Sequence, residues 1–167
     1  MMNEGKRLYA VLSLVALVGG AAAAGQYEAN VRRDVAAYFD ALRVSDFPTL
    51  AGLTCPAVVD SVGGYGAFIT SLQAMDRERA AQGIEWGEVT IESVSEPVVA
   101  GEQLHVLIEV RQQIGSPSGK TKKKTYMLGV SEDAGDSWTF VDATKLDAAN
   151  KQKLFPEFND ALKLPKG

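Results

Sequence analysis

The sequence predicts an α+β fold: a layer of N-terminal helices on one face of an antiparallel sheet of about four strands. Three observations carry this expectation. Apolar residues recur every three or four positions as far as Gly83, and beyond it the period shortens to two. The period-two segments follow one another with only turn residues between them, as hairpin-linked strands do, and not as strands separated by crossover helices. The 167 residues contain no internal repeat and suit a single domain.

The first segment, MMNEGKRLYAVLSLVALVGGAAAAGQ, reads as a secretory signal. Lys6 and Arg7 supply its positive start, Leu8 to Val18 is apolar except for Ser13, and Ala22 and Ala24 suit a signal peptidase. The run is shorter than the ~20 apolar residues of a membrane span, and no cysteine follows it to carry a lipid. Residues 1–24 are therefore expected to be a signal peptide and 25–167 one periplasmic or secreted domain, an uncleaved anchor being the alternative. Without the signal, the chain keeps 15 basic and 20 acidic residues, a net charge of −5, which gives no global attraction to nucleic acid. Cys55 is the only cysteine, so no internal disulfide forms. Its setting, LTCPAVV, suits a buried and inert thiol.

From Tyr27 to Arg43, the residues Val31, Val35, Tyr38, Phe39 and Leu42 form one apolar face of a helix. Ser45 and Asp46 are cap candidates for a short helix carrying Phe47, Leu50 and Leu53, and Pro56 opens another short turn. Gly63-Gly64 precede a helical stripe of Tyr65, Phe68, Ile69, Leu72 and Met75, which Gly83 stops. IEWGEVTIESV, QLHVLIEVRQQI, KTKKKTYMLGV and SWTFVDA are the expected strands. In the second of these, Leu104, Val106, Ile108 and Val110 share one face, and His105, Leu107, Glu109 and Arg111 the other. Ser116 to Gly119 (SPSG) suits a type I turn between strands two and three. Leu146 to Leu154 is helical in pattern and leads into an apolar tail punctuated by prolines.

SEDAGDSW, Ser131 to Trp138, fits S-x-D-x-G-x-x-W and resembles the Asp-box of sialidase propellers. A propeller needs several blades, and one box in about 140 mature residues excludes it. The motif is instead expected to join the last two strands: Ser131 and Asp133 bond within the turn, Gly135 takes a positive φ, and Trp138 folds over it.

The order of elements, with the phrases ALRVSDFPTLAGLTCPAVVD, CPAVVDSVGG, QGIEW, GEQLHVLIEV and YMLGVSEDAGDSWTFVDATKL, resembles the nuclear transport factor 2-like superfamily. The likeness spans roughly residues 30 to 165 and points to an uncharacterised exported bacterial branch. It implies a cystatin-like, cone-shaped fold with a curved sheet wrapped against helices, and dimerisation through the sheet. Catalytic relatives, the ketosteroid isomerases and the epoxide hydrolases of this fold, place Asp, Tyr or His inside the cone.

Asp142, after the apolar WTFV, and Tyr38, on the first helix, are the catalytic candidates; the plainer alternatives are a strand-terminal cap and a core tyrosine. Asp40 falls on that helix's solvent side. If the apolar row of its strand faces the helices, His105 lies outside the cone, exposed or in a dimer interface. One histidine and one cysteine far apart give no metal-ligand spacing, so no metal and no cofactor is expected. Lys120, Lys122, Lys123 and Lys124 form one positive run, either a solvated strand edge or an anionic-surface patch.

The sequence thus leads first to an exported, non-enzymatic module binding a small apolar ligand or a protein partner. The alternatives are an isomerase, dehydratase or hydrolase using a cavity carboxylate as general base, and an envelope assembly module dimerising through an outer sheet face with Leu107 and Met127.

Overall fold

The structure is a computed structural model that describes residues 16–165, with side chains described from residue 25. Helix α1 (Ala16–Val44) is followed by α2 (Phe47–Gly52), α3 (Pro56–Ser61) and α4 (Tyr65–Ala81). Strands β1 (Glu85–Val94), β2 (Val98–Ala100), β3 (Gln103–Ser116), β4 (Gly119–Ser131) and β5 (Thr139–Asp142) come next, and α5 (Ala148–Leu154) closes the chain. The class is α+β, with helices packed against an antiparallel sheet. Lys6, Arg7 and most of the apolar run of the expected signal lie outside the described residues. The expected cleavage point falls within α1, which runs unbroken from Ala16. Among the described residues, no helix is long and apolar enough to cross a membrane.

Local chemistry explains where the helices stop and start. Ser45 has a φ of 57°, which ends α1, and Asp46 accepts the Thr49 amide at 3.2 Å to cap α2. Pro48 and Pro56 sit in the first turns of α2 and α3, where a missing N–H costs nothing. Gly83, at φ 65°, turns the chain out of α4 and into the sheet.

The sheet order is β1-β3-β4-β5, with the short β2 on the same edge of β3 as β1. Ser95 bridges β1 and β2: its amide donates to the Leu107 carbonyl, and its hydroxyl accepts the Leu107 amide, both at 2.9 Å. The Pro117-Ser118 loop sets the long hairpin so that Ser116 faces Gly119, and this register continues to Leu107 opposite Leu128.

Two apolar clusters use the two faces of the sheet. The inner one joins Val31, Val35 and Phe39 of α1 to Val106, Ile108, Val110, Met127, Trp138 and Phe140. The outer one places Leu128, Val130 and Ala143 beneath Phe155 and Leu162 of the C-terminal segment. Leu107 and Met127 therefore do not share an outer face: Met127 pairs with Ile108, points inward and is 3% exposed. Side chains alternate along each strand, so directly opposed residues share a face and their sequence neighbours do not.

Candidate functional site

The α1–sheet interface is filled at one end by the side chains of the inner cluster. At the other end, α1, α2, α4 and the start of β1 enclose a pocket of about 290 Å³. Its walls are Leu42, Phe47, Leu50, Leu72, Met75, Ile84 and Trp86, and its polar rim is Asp76, Glu78, Arg79 and Gln82. Helix α4 forms the cover. No residue of α4 is buried, and Met75 is 61% exposed, so the helix lies across the opening rather than in the core.

Arg79 fastens that cover. Its guanidinium pairs with Asp76 at 2.6 Å, donates to the Ile84 carbonyl and lies 5.9 Å from the Trp86 ring centre. Gln82 donates to Glu78 at 3.4 Å. The rim groups are thus largely committed to one another, and what the pocket offers a ligand is apolar wall.

Neither catalytic candidate lines this pocket. The Asp142 carboxylate accepts the Thr144 amide at 3.0 Å and the Thr144 hydroxyl at 2.6 Å, so it caps the 3₁₀ turn Ala143–Lys145. Tyr38 packs edge-on against Phe39 and Phe140, with ring centres 5.4 and 5.9 Å away. Burial, with a smaller contribution from the Asp142 charge, pushes its phenol up to about 12, so it stays protonated. Asp40 is exposed and pairs with Arg43 at 3.2 Å. Cys55 is 2% exposed and its amide donates to the Phe140 carbonyl; burial pushes its thiol up and away from the reactive thiolate.

His105 is on the face opposite Val106 and Ile108, as alternation requires, but it is not exposed. It is 1% accessible, beneath the C-terminal segment, with Phe155 and Phe158 ring centres each 5.5 Å away. Alternation gives the face of a side chain and does not say what covers it.

The lysine run divides between faces. Lys120, Lys122 and Lys124 alternate with Thr121 and Lys123 along β4, and Lys124 is bound by Glu109 at 2.7 Å, which raises its proton affinity. Among the described residues, no three metal-ligating side chains converge.

The Ser131–Trp138 turn is a hydrogen-bonded joint. Asp133 accepts from the Ser131 hydroxyl (2.8 Å), the Ser137 amide (2.9 Å) and the Ser137 hydroxyl (2.5 Å). Ser131 Oγ accepts the Gly135 amide, and Trp138 Nε1 donates to the Gly135 carbonyl. Gly135 has a φ of 93°, and a Cβ there would clash with the Tyr27 ring. Ala134 adopts a positive φ of 59° as well. The turn also docks on α1 through residues that the sequence reading passed over. Asn30 donates to the Gly135 carbonyl and Arg33 to the Asp136 carbonyl, both at 2.9 Å, while Asp34 accepts the buried Trp138 amide at 3.0 Å. The available signal was an acid at position 34, three residues after Val31 and four before Tyr38, in the middle of an apolar face.

No family model matches the chain, and no curated protein matches it. Solved structures do. A SEC-C motif-containing protein from Psychrobacter arcticus aligns with a TM-score of 0.46 and 15% identity, over 74% of this chain and 66% of that one. An LEH-like epoxide hydrolase from M. tuberculosis aligns at 0.37 and 21% identity, over 74% and 87%. A nuclear transport factor 2-like protein of unknown function from Burkholderia pseudomallei aligns at 0.33 and 16% identity, over 75% and 97%.

Proposed function

We propose that this protein is an exported, non-enzymatic module of the nuclear transport factor 2-like superfamily that binds a small, largely apolar molecule beneath α4. The observation that carries the reading is the pocket of about 290 Å³ with seven apolar wall residues. That volume is at the lower edge of ligand sites and holds on the order of ten non-hydrogen atoms. Both catalytic candidates are supported better in structural roles, since Asp142 caps a turn and Tyr38 packs against two phenylalanines. The signal-like residues 1–24 support export.

The test is native mass spectrometry and thermal shift with decanol, decylamine and decanoate as probes. A probe at a hundred times its Kd stabilises the protein by about 2.7 kcal/mol, or roughly 5–10 °C for a chain of this size. Leu72→Trp places a bulky ring in the pocket and is expected to abolish the shift while leaving the far-ultraviolet spectrum unchanged. Absence of binding by all three probes, or an undiminished shift in a folded Leu72→Trp variant, would overturn the reading.

A further inference from the structure

The outer face of the sheet is covered by the chain's own C-terminal segment, and the attachment is unusual in kind. Phe155 and Leu162 are buried in the outer cluster, with Leu146, Leu154, Phe158 and Leu164 packed at its margin. The polar attachment is slight. Among the described residues, the hydrogen bond that ties residues 147–165 to the sheet runs from Asn159 Nδ2 to the Val99 carbonyl, at 2.9 Å. The Lys151–Asp160 ion pair at 2.6 Å joins the segment only to itself.

His105 lies under this cover. Its Nε2 is 3.0 Å from Gln103 Oε1, and Gln103 in turn donates to Glu132 at 2.9 Å. Its Nδ1 is buried and has no hydrogen-bond partner. A neutral ring tolerates this, because an unpaired acceptor nitrogen costs less than an unpaired charge; a protonated ring would bury a donor and a cation against two phenylalanines.

We propose that residues 146–165 form an acid-released strap: protonation of His105 detaches the segment and uncovers the apolar outer face of the sheet. Of the surrounding charges, Lys151 acts in the same direction, and none of the glutamates is bonded to the ring. Glu132, just after β4, meets the ring only through Gln103, and Glu102 and Glu157 border the same outer depression. On the strap, Lys151 lies over the far ring, 4.6 Å from the Phe158 centre. Strand β2 brings no titratable group, and Cys55 and Tyr126 of the outer cluster gain no charge as acid is added below neutrality. No acid is bonded to the ring in the closed form, and burial lowers its proton affinity. Once the strap lifts, water and the carboxylates of Glu102 and Glu132, which stay with the sheet, receive the cation.

The sign follows from linkage. The closed form excludes a proton that the open form binds, so closure is fully favoured above about pH 6.5, the solvated histidine value. Below it, the opening constant rises up to about tenfold per pH unit until the closed form itself takes up the proton.

Amide hydrogen exchange on the full chain between pH 7.5 and 5 tests this. The readout is the protection factor of the hydrogen-bonded strap amides Lys151, Phe155, Phe158 and Leu162, with Val35 and Leu128 as references. Strap protection is expected to fall by up to about tenfold per unit below pH 6.5 while the references hold, and His105→Leu is expected to remove the dependence. Strap protection that does not change with pH, the same slope in His105→Leu, or loss of strap and reference protection together would each overturn the proposal. Should His105→Leu not fold, the nuclear magnetic resonance titration of His105 in the unmodified protein decides: a midpoint at or above 6.5 refutes the proposal, and one below it supports it.

Discussion

Asp34 is an acid in the middle of an apolar helix face, and its removal should be the most costly polar substitution on α1. Its Oδ2 accepts the Trp138 amide at 3.0 Å, and Trp138 is 1% exposed, so Asp34→Ala strands a buried donor. That costs about 1–3 kcal/mol, at the upper end because the acceptor is charged. The second role of Asp34 is its pairing with Arg33 at 2.7 and 3.0 Å, but the Arg33 side chain is 57% exposed, so solvent screening makes this the smaller loss. Together the two losses amount to roughly 2–3 kcal/mol. Asp34→Asn keeps an oxygen for the Trp138 amide and gives up only the charge, so it should cost about 1 kcal/mol. Arg33→Ala removes the ion pair together with the exposed hydrogen bonds of Arg33 to the Asp136 carbonyl and to Asn30 but leaves the Trp138 amide its acceptor, so it should cost clearly less than Asp34→Ala. Urea unfolding followed by Trp fluorescence measures all three, and with a slope of about 2 kcal/mol per molar the Asp34→Ala midpoint should fall by about 1 M. If Asp34→Ala and Arg33→Ala unfold within about 0.5 kcal/mol of each other, the buried donor is not what Asp34 serves.

Two further substitutions probe the sheet and its turn. Asp133 is held down to about 2 by its hydrogen bonds to Ser137, with Ser131 adding less, so it stabilises the folded chain above the ordinary carboxylate range. That stability is lost as pH falls from about 4 through 2; because the side chain is exposed, the difference between the unmodified protein and Asp133→Ala should be only about 1 kcal/mol at pH 7, and in urea titrations should shrink steadily below pH 4, with part of it still present at pH 2. Gly129→Ala places a Cβ 2.8 Å from Val106 Cγ2 and 3.3 Å from Ile108 Cδ1, so overpacking should lower the thermal midpoint by the equivalent of about 1–3 kcal/mol.

Much of the fold was legible because its periodicities are local. The stripe of α1, the cap at Asp46, the opening of a short helix at Pro56, and the alternation of β3 need no knowledge of what lies across from them. The Met127 and Leu107 assignment failed because a face on β4 depends on register with β3. The information was present: once Ser116–Gly119 is taken as the turn, residue pairs step outward one at a time and bring Leu107 opposite Leu128. The pocket was less legible. Its walls come from α1, α2, α4 and β1, so Leu42, Leu72 and Trp86 meet only through tertiary packing. The burial of His105 was not legible at all, since the covering residues Phe155 and Phe158 are some fifty positions away and carry no periodic signal of their own.

The two ends of the helical layer are held in different ways, and the proposed binding site rests on this difference. At the Trp138 end, α1 is fixed to the hairpin by Asn30, Arg33 and Asp34, and the space beneath is filled by Val31, Val35 and Phe140. At the α4 end there is no buried residue to hold the helix, and the Arg79 clasp ties only its last turns to β1. Local opening free energy follows buried contact, so α4 should open at far lower cost than α1. A ligand gains most where the protein's own side chains have left apolar surface uncovered, and that is beneath α4. The Asp-box-like turn contributes by fixing the opposite end, which leaves α4 as the part of the helical layer that can yield to a ligand.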